Sequence, residues 1–112
     1  MTGAGKFRIV LITTPPDGTG ERLARLLVEK KLAACVNRIP RIRSVYRWEG
    51  RIESEEEELL LVKTREDLLG EVEALLSEEH PYDVPELLSL QPAEGADDYL
   101  RWLSIETGGE DR

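Results

Sequence analysis

The chain has 112 residues, a size that suits one domain with a single core, and its 23 acidic against 15 basic side chains leave a formal net charge of −8. That balance repels nucleic-acid phosphates, and the longest apolar runs, Ile9 to Ile12 and Leu59 to Val62, are far shorter than the roughly 20 residues a membrane helix needs. The opening Met1-Thr2-Gly3-Ala4-Gly5-Lys6 lacks the basic start and apolar stretch of a secretory leader, so the expected location is the cytoplasm; with Cys35 the only cysteine, neither a disulfide nor a cysteine-built zinc site can be completed within one chain.

Phe7 to Thr14 is almost continuously apolar and β-branched and is stopped by Pro15-Pro16-Asp17-Gly18, which predicts a strand buried on both faces. Glu21 to Lys31 places Leu23, Leu26 and Leu27 at helical spacing, with Asp17 or Thr19 as the cap. Ala34 to Trp48 is extended again, but Pro40 and the arginines at 38, 41, 43 and 47 suit an edge strand. Glu49-Gly50 predicts a two-residue turn, and Ile52 to Thr64 returns as the partner strand, ending in the apolar run LLLV. Thr64 and Asp67 have the spacing of a helix cap, and Leu68, Val72, Leu75 and Leu76 form a stripe that ends near His80-Pro81. Glu86 to Gln91 predicts a fourth strand, Asp97 to Ile105 a last helix, and Thr107 to Arg112 a frayed tail.

The order β-α-β-β-α-β plus a helix is that of an α+β, ferredoxin-like split βαβ sandwich, with strands one and three central and residues 7 to 105 forming the core of a single domain over 1 to 112. Two helices cover only one sheet face, while strands one and three are apolar on both. Another copy of the chain is the expected cover; the monomeric alternative folds the last helix, with Tyr99 and Trp102, across that face. Asn37 and Gln91 are the only side-chain amides and 34% of residues are charged, a composition expected of heat-adapted proteins.

The strings AACVNRIPRIRSVYRWEGRIES, LLLVKT, HPYDVPELLSL and DYLRWL, in that order with Glu57 between the first two, resemble the CutA divalent-cation-tolerance family. The resemblance spans roughly residues 7 to 105. It implies a ferredoxin-like subunit in a homotrimer similar to the trimeric PII signalling proteins, with copper and other divalent cations as ligands and no catalysed reaction. Copper-binding members pair a cysteine at the end of the first strand with side chains at and before the His-Pro-Tyr word. Here Thr13 stands at the strand end, so the resemblance carries over only His80 and Glu79. One imidazole and one carboxylate suit a loose divalent site better than a selective copper site, so no cofactor is expected to be obligatory and copper or another divalent cation is expected to bind weakly.

The sole histidine, His80, is either that ligand or a hydrogen-bonded brace for the turn before Pro81. A catalytic pair of Cys35 and His80 lacks an orienting third group. Lys63, at a strand end, holds an anion or pairs with an acid such as Glu57. Tyr46, Trp48, Tyr82 and Trp102, with Glu57 and Lys63, line a cleft between subunits or serve as packing anchors. In the run Glu53-Ser54-Glu55-Glu56-Glu57-Glu58, alternation allows at most Glu53, Glu55 and Glu57 to share a face, and the run reads as a solvated arm. The expected partners are the chain itself and an unidentified target protein or small ligand; a PII-like module would take a small anion in its clefts, and a small acyl- or phosphate-handling enzyme would rely on Asn37 and Arg38.

Overall fold

The computed structural model describes residues 1–110. In chain order the elements are β1 (Thr2–Gly3), β2 (Phe7–Thr14), α1 (Thr19–Glu29), β3 (Cys35–Trp48), β4 (Arg51–Arg65), α2 (Leu69–Glu79, entered through a 3₁₀ turn at Glu66–Leu68), β5 (Leu88–Leu90), β6 (Glu94–Gly95) and α3 (Asp97–Glu106). The main sheet has the order β3-β4-β2-β5, and every neighbouring pair is antiparallel. The two most continuously apolar strands are therefore central and the proline- and arginine-bearing strand is an edge, giving the expected ferredoxin-like sandwich.

The fold follows from where the apolar side chains alternate. Val10 and Ile12 of β2 and Leu60 and Val62 of β4 point to one face, where Leu23 and Leu27 of α1 and Val72, Leu75 and Leu76 of α2 meet them. Leu23 and Leu27 are four residues apart, and Val72, Leu75 and Leu76 recur at three and four, so each helix presents one stripe. Fully burying such a side chain stabilises the fold by about 1.5–3 kcal/mol, and seven of these residues are completely inaccessible.

The opposite face carries Ile9, Leu11, Leu59 and Leu61, all half-buried, with Ile39, Leu88 and Leu90 exposed. The last helix covers only one end of it: Leu100 and Leu103 pack with Ala4, Phe7 and Ala34 into a second, smaller cluster, while Tyr99 and Trp102 remain on its outer side. Two cores thus replace the single one expected.

Several local expectations are corrected. Gly18, at φ 96°, takes the cap position of α1, and Asp17 acts from one residue further out, its carboxylate accepting the Thr19 N–H at 3.1 Å and the Thr19 hydroxyl at 2.6 Å. Those bonds hold the Asp17 carboxyl below the usual range. Thr64 caps nothing: it is buried in β4 and its hydroxyl donates to the Leu32 carbonyl at 2.6 Å. The fourth strand shrinks to three residues because Leu87 turns into the main core. The tail is folded through Glu110. Arg65 donates to the Thr107 hydroxyl and carbonyl at 2.9 and 3.0 Å, the Gly109 N–H reaches the Ser104 carbonyl at 2.7 Å, and Gly108 at φ 79° permits the turn; Asp111 and Arg112 lie outside the described residues. A two-stranded sheet of β1 and β6 was not expected at all.

Candidate functional site

The β3–β4 hairpin continues past the body of the sheet to the turn at Glu49 and Gly50, whose φ angles of 50° and 79° fit a tight hairpin turn. Its register decides which side chains share a face. Ile39 pairs with Leu59, but Ile42 pairs with Glu57, so Pro40 and Arg41 together oppose the single residue Glu58. This bulge is made possible at an edge, where the missing proline N–H is not needed by a neighbour, and Arg41 takes a left-handed φ of 59° to form it. Before the bulge, Cys35, Asn37 and Ile39 lie on the face away from α1 and α2. After it, Ile42, Ser44, Tyr46 and Trp48 take over that face, beside Glu57, Glu55 and Glu53 of β4, while Arg43 and Arg47 turn to the other side.

The wall across from this hairpin is the segment after α2. Pro81 cannot continue a helix and biases His80 to extended geometry, seen as φ −87° and ψ 136°. His80 is 8% exposed, its Nδ1 accepts the Tyr82 N–H at 3.1 Å, and its Nε2 lies 2.8 Å from the Thr13 carbonyl. An accepting Nδ1 leaves the proton on Nε2, which donates to Thr13, so the ring is a neutral brace between β2 and the loop. Tyr82 stacks obliquely on it with ring centres 4.7 Å apart and its hydroxyl donates to Glu57 Oε2 at 2.8 Å. Burial, then the bond to Glu57, push the Tyr82 phenol far above its usual range, so it stays a donor. Across the cleft, the Tyr46 hydroxyl donates to Glu55 Oε1 at 3.0 Å, and that bond raises its phenol as well.

The result is a cleft of about 750 Å³ bounded by Thr13, Tyr46, Trp48, Tyr82 and Pro85, with Val45 and Val84 at its mouth. Among the described residues five carboxylates line it, from Glu53, Glu55, Glu57, Asp83 and Glu86, and no lysine or arginine does. Glu57 is 6% exposed. The Glu86 carboxyl is raised, by partial desolvation first and by the Glu57 charge second.

Of the residues singled out by sequence, Tyr46, Trp48, Glu57 and Tyr82 lie together here. Lys63 does not: it sits level with Ile9 on the sheet and donates to Asn37 Oδ1. Trp102 is on α3, with its ring centre 5.8 Å from that of Tyr99. Sequence reading missed Asp83, Val84 and Glu86, whose roles depend on how the loop returns to the hairpin. Alternation did place Glu53, Glu55 and Glu57 on one face, but nothing local to them announces the opposite wall.

The residues that the resemblance assigned to a metal do not make an open donor set. Both His80 nitrogens are engaged, the Thr13 carbonyl is taken by His80, and Glu79 Oε1 receives Arg22 Nη1 at 2.6 Å while its backbone carbonyl accepts Arg22 Nη2 at 2.8 Å. Among the described residues no group of three or more His, Cys, Asp or Glu side chains gathers around a metal-sized point. Arg38 Nε is held by Glu58 Oε1 at 2.8 Å and Asn37 by Lys63, so the pair that an acyl- or phosphate-handling enzyme would use is occupied. Cys35 lies level with Ile9 in the sheet register and His80 contacts Thr13, four residues or about 13 Å further along β2, so the two form no dyad.

The CutA1 divalent ion tolerance protein family model matches residues 8–106. The chain is 44% identical over 100 residues to the divalent-cation tolerance protein CutA of Thermus thermophilus, covering 89% of this chain and 97% of that one. It is 46% identical over 99 residues to the chloroplastic protein CutA of Arabidopsis thaliana, covering 88% of this chain but only 54% of the plant protein, so it spans about half the length of that relative. Among solved structures, the Thermus thermophilus divalent cation tolerance protein superposes with a TM-score of 0.88 at 43% identity, covering 91% of this chain and 99% of that one. CutA from Synechococcus elongatus gives 0.89 at 35% identity, with coverage of 94% and 93%.

Proposed function

Since the chain belongs to the CutA1 divalent ion tolerance family, we propose that it acts in divalent-cation tolerance as the subunit of a homotrimer that captures a small ligand in the cleft between hairpin and loop, without catalysing a reaction. The observation that carries this reading is the cleft itself: among the described residues five carboxylates, three aromatic rings and no basic side chain line it, and it is built on the sheet and braced by His80. The half-apolar face of Ile9, Leu11, Leu59 and Leu61 is continuous with Thr13 at the cleft floor. Copies of the chain meeting through that face would bury it and bring each cleft to a subunit junction.

A resident metal has no part in this reading, because His80, Glu79 and Thr13 are already bonded to one another's surroundings. A small anion in the cleft, as a PII-like module would take, is opposed by the carboxylates. The linked pairs Arg25–Glu21, Glu21–Arg38 and Arg38–Glu58, at 3.7, 3.8 and 2.8 Å, support the heat-adapted source that the composition suggested, with a melting midpoint above about 60 °C.

Light scattering during a Cu²⁺ and Zn²⁺ titration tests the proposal. The expected mass is three times that of the 12.7 kDa chain, unchanged by metal, with any metal uptake equal in His80→Ala. A monomer would overturn the assembly, and a saturable stoichiometry of one metal per chain that depends on His80 would overturn the metal-free reading.

A further inference from the structure

The cleft carries a charge imbalance that no described residue of the chain corrects. No ion pair among the described residues reaches Glu53, Glu55, Glu57, Asp83 or Glu86. Glu57 is buried, and among the described residues a phenol hydroxyl is its one hydrogen-bond partner. Burying a carboxylate beside other carboxylates is unfavourable unless a cation shares the space. Of the arginines on the hairpin, Arg43 and Arg47 are turned to the opposite face by the bulge at Pro40 and Arg41, while Arg51 shares the face of Glu53 at the far end, opposite Trp48, outside the cleft lining. Partial desolvation first, and the charge of Glu57 second, also raise the Glu86 carboxyl.

The walls specify what kind of cation fits. Tyr46, Trp48 and Tyr82 supply aromatic faces, which attract a cation through the ring quadrupole. Both tyrosine hydroxyls are spent as donors to Glu55 and Glu57, so they are not free to hold an anion. Val84, 69% exposed at the mouth, offers surface to a hydrocarbon body. A volume of about 750 Å³ falls within the range of roughly 300–1,000 Å³ typical of sites for small organic molecules. The carboxylates are spread along the cleft and do not converge as hard-cation ligands must.

We propose that the cleft is a receptor for a small organic cation, an ammonium or guanidinium group on an apolar body, with the charge near Glu57 and Glu86 and the body against Tyr46 and Trp48. This rests on the cleft being the functional site; it names the ligand class that the site takes. The ligand's positive charge replaces the missing counter-ion of Glu57.

Calorimetry on the full chain at low salt tests this with 1,4-diaminobutane and 2-phenylethylamine as probes and magnesium chloride and sodium citrate as comparators. At least one amine is expected to bind with one site per chain, about tenfold or more weakly in Glu57→Gln and in Trp48→Ala, and more weakly again as salt is added. Should Glu57→Gln fail to fold, Glu86→Gln on the exposed loop reads the same charge. Silence of both amines at millimolar concentration, tighter binding of citrate or of magnesium, or amine affinities unmoved by the substitutions would each overturn the inference. So would loss of the trimer in both Glu57→Gln and Arg47→Ala, since that pair of results would mean that a neighbouring copy's arginine fills the cleft. A monomer that still binds an amine through Glu57 would sink the proposed assembly while leaving the ligand class standing.

Discussion

Along the shared β3–β4 ladder, the half around Val62 and the half around Glu55 have the same backbone pairing and opposite side-chain chemistry. In the first half Leu60 and Val62 are completely buried beneath α1 and α2. In the second, Val45 and Ile52 are mostly exposed and the inward row is Glu53, Glu55 and Glu57. Ladder hydrogen bonds exchange protein for water partners and contribute only about 0.5–1.5 kcal/mol each. The body of the sheet is therefore where the fold's stability resides, and the arm is a projecting wall whose side chains are available for recognition.

Substituting equivalent aliphatic residues in the two halves would break this comparison most directly. Leu60→Ala is expected to cost about 2–5 kcal/mol in urea unfolding because it opens a cavity under two helices, whereas Ile52→Ala should stay within about 0.5 kcal/mol. Equal losses would mean that the arm is as much a part of the core as the body. A smaller contrast sits within the body. Thr64→Val removes the donor to the Leu32 carbonyl and should cost about 1 kcal/mol. Thr14, just as buried, has a hydroxyl with no partner, so Thr14→Val should be neutral or stabilising by the same unfolding measurement; a loss in both would place an unseen bond at Thr14.

The smallest expected effect concerns pH in the arm's cleft. The Glu86 carboxyl is raised above its ordinary value of 4.5 in the folded protein, so the folded state binds a proton before the unfolded chain does. Its ionised form thus lowers stability, and that contribution is relieved as pH falls through the raised value toward 4.5, with nothing further gained below. Unfolding midpoints followed from neutral pH to about 4.5 should show a flatter dependence in Glu86→Gln than in the parent, and an unchanged slope would remove Glu86 from the cluster of interacting carboxylates.

The two halves also differ in how far the sequence exposes them. The central strands are legible because burial on both faces leaves unbroken apolar runs, as in Phe7 to Thr14, and the edge is legible because Pro40 and the arginines would be costly anywhere else. The Glu49-Gly50 turn is legible from local backbone chemistry. The His80 brace is legible as one of two readings of a histidine before Pro81, but its partner is hidden, because it is a backbone carbonyl, which every residue has, 67 positions away. The folded tail is hidden for a related reason: Thr107, Gly108 and Gly109 are ordinary loop residues until Arg65 of β4 reaches them. The opposite wall of the cleft, Tyr82 to Glu86, depends on a loop path that no periodicity encodes.

The bulge between Ile39 and Ile42 has a consequence for how such a receptor changes its preference. The strand there contains one residue more than its partner, and that surplus sets the phase of everything beyond it. Straightening the bulge without changing the strand's length would slip the distal pairing by one residue, withdrawing Ser44, Tyr46 and Trp48 and presenting Arg43, Val45 and Arg47 to the row of glutamates. The arginines would then neutralise that row from within. A slip of one residue in the pairing is thus enough to close a cation's berth with the protein's own charges, and the polarity of such a cleft is written in the register of its strands as much as in the kind of their residues.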